Sequence, residues 1–272
     1  MTSYRYTLLP IMALALLFLS SCKRNFQYSV LEVKPLTRNM NLKAIERIQE
    51  LVPKDTFSFL FISDTQIAYA ELQDFVEFAN NNLSLDSISF VLHGGDYSDY
   101  GANFEFNLYY DDIRKLKFPV VGVIGNHDML GNGSEVYRRY FGPDDFTFNF
   151  GSTKFIAFNS NSREASFDGT LPNLNWIKSQ QHSDEDIKNI IYLAHVPPYS
   201  SDFDPNIQMP YAELLANESR SLLSLHGHTH TYLFDQPYDD GMNYLVAPSL
   251  ISRSFILVTV EGNTAHQRLI TF

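Results

Sequence analysis

Residues 57–64 read FSFLFISD, residues 88–96 read ISFVLHGGD, and residues 119–128 read PVVGVIGNHD; these three runs decide the fold. Each is a short stretch rich in β-branched and aromatic residues that stops at a carboxylate or an amide, in two cases beside glycine. That is the pattern of a buried strand delivering a polar side chain at its carboxyl end. Two later runs repeat it, residues 187–194 stopping at His195 and residues 222–226 entering Gly227-His228-Thr229-His230. In open α/β sheets ligands bind outside the carboxyl ends of the strands, where loops converge. Asp64, Asp96, Asn126, His195, His228 and His230 are therefore expected to meet in one place.

Outward from these runs the chain alternates strand and helix patterns. Strands are predicted at 57–63, 88–93, 119–124, 146–150, 154–159, 187–194, 222–226, 231–234, 243–246, 255–260 and 265–270. Leu72, Phe75, Val76, Ala79 and Leu83 recur at helical spacing and predict a helix over 69–83. Further helices are expected at 104–116, 134–141 and 171–181, with a weaker one at 210–218. The first half reads β-α-β-α-β, whereas the carboxyl-terminal stretch is nearly all strand with turns at Asp239-Asp240-Gly241 and Glu261-Gly262-Asn263. The pattern predicts an α/β sandwich with mixed sheets in one catalytic domain over 56–272, without repeats or low-complexity segments.

The 272 residues are 44% hydrophobic, ample for a buried core, and carry a formal charge of −11. That balance argues against a nucleic-acid or anionic-membrane binding face. The amino terminus reads as a targeting segment over 1–21: Arg5 precedes an apolar run at 8–19 that is too short for the ~20 residues a membrane span needs. Leu19-Ser20-Ser21-Cys22 resembles the lipobox of bacterial lipoproteins, in which the cysteine becomes the lipidated first residue. An uncleaved anchor and an ordinary signal peptide are the alternatives. The resemblance implies an exported lipoprotein of a bacterial cell envelope, held to the membrane through Cys22. Residues 22–55 form a tether with a short amphipathic segment, in which Leu42, Ile45, Ile48 and Leu51 or Val52 recur at helical spacing. Cys22 is the single cysteine, so no intramolecular disulfide can form.

The six strand-end residues combine carboxylate, amide oxygen and imidazole, a set suited to a hard or borderline divalent ion: Mn, Fe, Zn or Mg. His228 and His230 stand two apart, so on an extended segment both imidazoles point the same way. Asp64-Thr65-Gln66, Gly95-Asp96, Gly125-Asn126-His127-Asp128, His195 and Gly227-His228-Thr229-His230, in this order, resemble the calcineurin-like metallophosphoesterase superfamily. The resemblance runs from Phe57 to the carboxyl end. It implies an αββα sandwich of two mixed sheets flanked by helices. It also implies two divalent metal ions, the first held by Asp64, Gln66, Asp96 and His230, the second by Asp96, Asn126, His195 and His228. Such a pair, about 3.5–4 Å apart, polarises phosphoryl oxygens and supplies hydroxide near neutral pH. His127 would then protonate the leaving oxygen or stabilise charge on the phosphoryl group, with Asp128 orienting its imidazole. One departure is Gln66, where most of the family has histidine; a neutral amide donor weakens the first site and shifts its preference toward Mn or Mg.

The expected substrate is a small or exposed phosphate ester, mono- or diester. The alternative is a metallophosphoesterase-fold lipoprotein that binds without turnover, a reading motivated by Gln66. His93 and His226 are expected to be structural, and His182 and His266 to lie on the surface. Tyr97, Asp99 and Tyr100 could line the pocket. There is no Gly-x-Ser-x-Gly elbow, phosphate-binding Gly-Lys loop or dinucleotide fingerprint.

Overall fold

The computed structural model describes residues 31–54, 56–182 and 186–272. The expected targeting segment and Cys22 lie outside the described residues. Strand β1 (Thr56–Ile62) explains why the strand runs are apolar at nearly every position. Phe57, Phe59 and Phe61 enter one core cluster, while Leu60 and Ile62 enter another on the opposite face. Successive side chains of a strand point to opposite faces, and a sheet covered on both sides therefore needs apolar residues at both parities.

The first sheet has the order β11-β10-β1-β2-β3. Here β1, β2 (Phe90–His93) and β3 (Val120–Gly122) are parallel, and β10 (Ser254–Glu261) and β11 (Thr264–Thr271) extend it antiparallel. The second sheet has the order β4-β5-β6-β7-β9-β8. Its parallel centre is β5 (Thr153–Ala157), β6 (Asn189–Leu193), β7 (Ser221–His226) and β9 (Tyr244–Val246), edged by antiparallel β4 (Phe146–Phe150) and β8 (Leu233–Asp235). Phe59, Phe90, Phe148, Phe155, Leu193 and Leu225 pack together between the sheets.

Helices α2 (Tyr69–Asn82), α3 (Asn103–Ile113) and α4 (Gly133–Tyr140) cover the outer face of the first sheet through Leu72, Phe75, Phe106, Tyr109, Val136 and Tyr137. Helices α5 (Leu174–Gln181) and α6 (Gln208–Ala216) cover the second through Ile177, Tyr211 and Leu215. The architecture is an αββα sandwich of two mixed sheets.

All eleven predicted strands form, and the boundary shifts have local causes. The helix expected from 171 begins at Leu174 because Asn173 takes the cap position, its side chain accepting the Trp176 N–H at 3.1 Å. The amphipathic segment forms α1 (Met40–Gln49), two residues earlier than its apolar period suggested. Asn41 is the reason: its amide donates to the Gly122 carbonyl at 2.9 Å and accepts the Gly122 N–H at 3.0 Å. One buried side chain thus satisfies the edge of β3 as a neighbouring strand would. Ala44 and Ile48 from the same helix enter the inter-sheet core.

Candidate metal centre

The carboxyl ends of β1, β2 and β3 in one sheet face those of β6 and β7 in the other. Asp64, Asp96 and Asn126 come from the first sheet, and His195, His228 and His230 from the second. The loops bearing Asp64 and Asp96 are interlocked by backbone hydrogen bonds. The Asp64 N–H donates to the Gly95 carbonyl (3.0 Å), and the Thr65 and Gln66 N–H groups donate to the Asp96 carbonyl (2.9 and 3.0 Å). This framework holds strained residues in place. Asp64, Asp96, His228 and His230 all have left-handed backbones, with φ of 53°, 62°, 71° and 59°. Two glycines allow the loops to close: a Cβ at Gly125 would lie 2.0 Å from the Asp96 carboxylate, and one at Gly227 would lie 2.6 Å from that of Asp64.

The side chains gather into two groups that share Asp96. In one, His230 Nε2 lies 3.2 Å from Asp64 Oδ1, and the buried Gln66 amide nitrogen lies 3.3 Å from Asp96 Oδ2 and 3.4 Å from His230 Nε2. The Gln66 Oε1 atom is buried with no partner, an acceptor open to a donor or a cation. In the other group, His195 Nε2 lies 3.2 Å from Asp96 Oδ2 and 3.0 Å from Asn126 Oδ1, while His228 Nδ1 lies 3.1 Å from the same Asn126 oxygen. Asp64, Asp96 and His195 offer donor atoms all within 4.8 Å of one another.

The outward-facing nitrogens decide what this second group can bind. His195 Nδ1 donates to the Gly94 carbonyl at 2.7 Å, leaving Nε2 a lone pair when the ring is neutral. His228 Nε2 meets the Asp202 carboxylate at 3.1 Å, which leaves its Nδ1 a lone pair as well. Four acceptors, on Asp96, Asn126, His195 and His228, then converge. Such a convergence requires a cation: a proton, or a divalent ion of the kind that oxygen and imidazole ligands favour. The residues present therefore fit a divalent metal.

The titration behaviour follows from this crowding. Burial pulls the His195 pKa down, but the charge and hydrogen bond of Asp96, with Asp64 behind it, outweigh burial and hold it up at about 10. Burial pushes the Asp96 carboxyl up, yet His195 and His127 more than offset this and keep it below the usual carboxylate range. Burial, with His195 beside it, presses His228 down to about 4. The metal-free protein therefore carries a proton on His195 at neutral pH, and a cation seated there must displace it. Titration of Mn into metal-free protein at pH 7 is expected to release about one proton per centre, with affinity falling as pH is lowered. Calorimetry in buffers of different ionisation enthalpy reads that proton; pH-independent binding without release contradicts the assignment.

His127 lies at the mouth of the centre, its side chain 37% exposed. Its N–H donates to Asp96 Oδ1 at 3.0 Å, and its ring Nδ1 donates to the Asp99 carbonyl at 2.8 Å, with the Asp99 carboxylate 3.5 Å away. This corrects the expectation that Asp128 orients the imidazole. The Asp128 carboxylate is fully buried and accepts the N–H groups of Asp96, Tyr97, Ser98 and Gly125 (2.9–3.0 Å) and the Ser98 hydroxyl (2.8 Å). Burial and then the Asp96 charge push its pKa up to about 7 against those donors. Asp128 thus holds the backbone that presents Asp96, and Asp99 is the residue that holds His127. Asp128→Ala strands four buried N–H groups and is expected to cost ~3 kcal/mol or more. Urea unfolding of the metal-free protein checks this, and an unchanged midpoint contradicts it.

His93 and His226 stay out of the centre. His93 Nδ1 accepts the Gly95 N–H at 3.1 Å and its Nε2 meets the Thr65 hydroxyl at 3.1 Å, bracing the turns that carry Asp96 and Asp64. His226 bonds the Ser224 hydroxyl at 2.8 Å. Burial lowers both to about 3. Tyr97 is buried against His93 rather than lining a pocket, and His182 and His266 are exposed.

Comparison with known proteins adds the family context. Residues 57–232 match a family model described as calcineurin-like phosphoesterase. A curated relative from Arcobacter nitrofigilis, "Probable glycerophosphodiester phosphodiesterase GpdQ", is 25% identical over 158 residues, covering 52% of this chain and 56% of the relative. The chain thus spans little more than half the length of that relative. Among solved structures, a dimetal phosphatase from Danio rerio aligns with a TM-score of 0.60 at 12% identity, over 79% of this chain and 99% of that one. GAP50, described as the anchor in the inner membrane complex of Plasmodium, aligns with a TM-score of 0.59 at 16% identity, over 80% and 85%. Both likenesses are of fold.

Proposed function

The chain belongs to the calcineurin-like phosphoesterase family; from that premise we propose that it is a phosphoric ester hydrolase that cleaves a phosphate mono- or diester at a two-metal centre with His127 as proton donor. Asp64, Gln66, Asp96 and His230 would hold one divalent ion, and Asp96, Asn126, His195 and His228 the other. Bound there, the ions would polarise the phosphoryl oxygens and make a water molecule more acidic. The observation that carries the reading is the convergence on one point of the Asp96 carboxylate, the Asn126 amide oxygen and the His195 and His228 ring nitrogens, an arrangement that only a cation, proton or metal, can satisfy.

The rest of the chemistry falls to the chain's own residues. His127 keeps Nδ1–H on the Asp99 carbonyl, which turns Nε2 toward the mouth, where it can hold a proton and pass it to the departing oxygen. Asp96 fixes the peptide N–H of His127 with one carboxylate oxygen while the other faces His195 and Gln66. The proton donor and the centre are thereby kept in register.

The relative's name makes a phosphodiester the first ester to assay. The test is hydrolysis of bis-p-nitrophenyl phosphate and p-nitrophenyl phosphate by chelator-treated protein with and without Mn. Turnover restored by metal supports the proposal, and inactivity on both esters with every divalent ion tried, in protein shown to be folded, refutes it. The Leu19–Cys22 motif supports a lipid anchor on an exported bacterial protein. Cys22→Ser is then expected to move the protein from the membrane to the soluble fraction, and unchanged membrane fractionation contradicts the anchor.

A further inference from the structure

We infer that Asp202, steadied by Arg163, is a positioning residue that fixes the tautomer and orientation of His228 for the second metal position; the inference rests on the two-metal reading above. Asp202 lies in the irregular segment between β6 and α6, where neither periodicity nor motif marks it. Its carboxylate divides its work. Oδ2 accepts from His228 Nε2 at 3.1 Å, and Oδ1 accepts from Arg163 Nη1 at 2.9 Å. The two loops are also joined through backbone, the Arg163 N–H donating to the Asp202 carbonyl at 3.2 Å.

The arrangement is not an ordinary surface ion pair. Both the Asp202 and His228 side chains are largely shielded, at 15% and 16% exposure. The Asp202 carboxylate can only accept, so at 3.1 Å it draws the imidazole N–H to His228 Nε2. That bond leaves the lone pair on Nδ1, the nitrogen 3.1 Å from Asn126 Oδ1. A carboxylate behind a ligating histidine fixes ring orientation and raises ligand basicity, and loss of such a partner typically costs about 10–100-fold in metal affinity. His228 needs the support, because its own backbone is left-handed and its loop contains Gly227. Arg163 supplies the restraint on Asp202 and is itself half exposed, with Nε 3.4 Å from Glu164.

The experiment compares wild type with Asp202→Asn, Asp202→Ala and Arg163→Gln in two readouts. Long-range proton–nitrogen spectra of the metal-free protein report the His228 tautomer. The wild type is expected to show the Nε2–H form, and Asp202→Ala a mixture with Nδ1–H. Calorimetric titration with Mn is expected to show about 10–100-fold weaker binding at one of two positions in both Asp202 variants, the other being unchanged. Arg163→Gln is expected to give a smaller loss at the same position. An unchanged tautomer, or Mn affinities within twofold of wild type in both Asp202 variants, overturns the inference. If the wild type takes up no Mn, the metal reading fails, and the tautomer spectra still decide whether Asp202 orients His228. Should Asp202→Ala not fold, Asp202→Asn keeps the side-chain volume and carries both measurements.

Discussion

Asp96→Asn is expected to lower ester hydrolysis by about 10³-fold or more while leaving the protein folded. Asp96 is buried, and its two oxygens serve different masters: Oδ1 accepts the His127 N–H at 3.0 Å, and Oδ2 faces His195 Nε2 and the Gln66 amide at 3.2 and 3.3 Å. An asparagine keeps the volume and can keep the bond to His127 through its one oxygen. It then turns an NH₂ group toward the shared position and removes the charge that both groups of ligands have in common. Several kcal/mol of electrostatic stabilisation at a metal centre, at 1.36 kcal/mol per tenfold, gives a loss of this size. Turnover, metal content by elemental analysis and thermal unfolding should be measured together. Full metal content with activity within tenfold of wild type would show that Asp96 is not the shared ligand.

His127→Ala is expected to discriminate between esters. For an alkyl ester, whose leaving oxygen must be protonated, the loss should reach about 10²–10⁴-fold. For a p-nitrophenyl ester, which departs as a stabilised anion, it should be tenfold or less. Metal content should not change, because the His127 ring makes its hydrogen bond to Asp99 rather than to the converging acceptors. Equal losses on the two esters would assign His127 to binding the phosphoryl group instead of protonating the leaving oxygen. Asp99→Asn should reproduce at most part of the same pattern, since the Asp99 carbonyl that accepts from Nδ1 is retained and only the carboxylate 3.5 Å away is changed.

The two-sheet architecture and the gathering of Asp64, Asp96, Asn126, His195, His228 and His230 were legible in the amino-acid sequence for a physical reason. Parallel strands buried on both faces must be apolar throughout, so the first polar residue after each run is conspicuous, and topology sends all such residues to one side. The roles of carboxylates in irregular backbone were not legible. Asp128 follows His127 directly, which invited the idea that it supports the ring. It sits instead in the tight turn His127–Met129, which sends its side chain under the Asp96–Ser98 backbone. Asp99 and Asp202 act through loop geometry that carries no period. Asn41 was hidden for a related reason: the apolar spacing that revealed the helix says nothing about a polar residue at its start that completes the edge of β3.

The seam between the sheets has a mechanical consequence. Four candidate ligands, Gln66 included, hang from one sheet and three from the other, and beneath them the sheets meet across a core of apolar side chains whose contacts are not directional. Each cation would then serve as a rivet, and loading at a hundredfold above Kd would add ~2.7 kcal/mol against unfolding. Protein starved of metal would be idle and fragile at once, and therefore the form that proteases clear first.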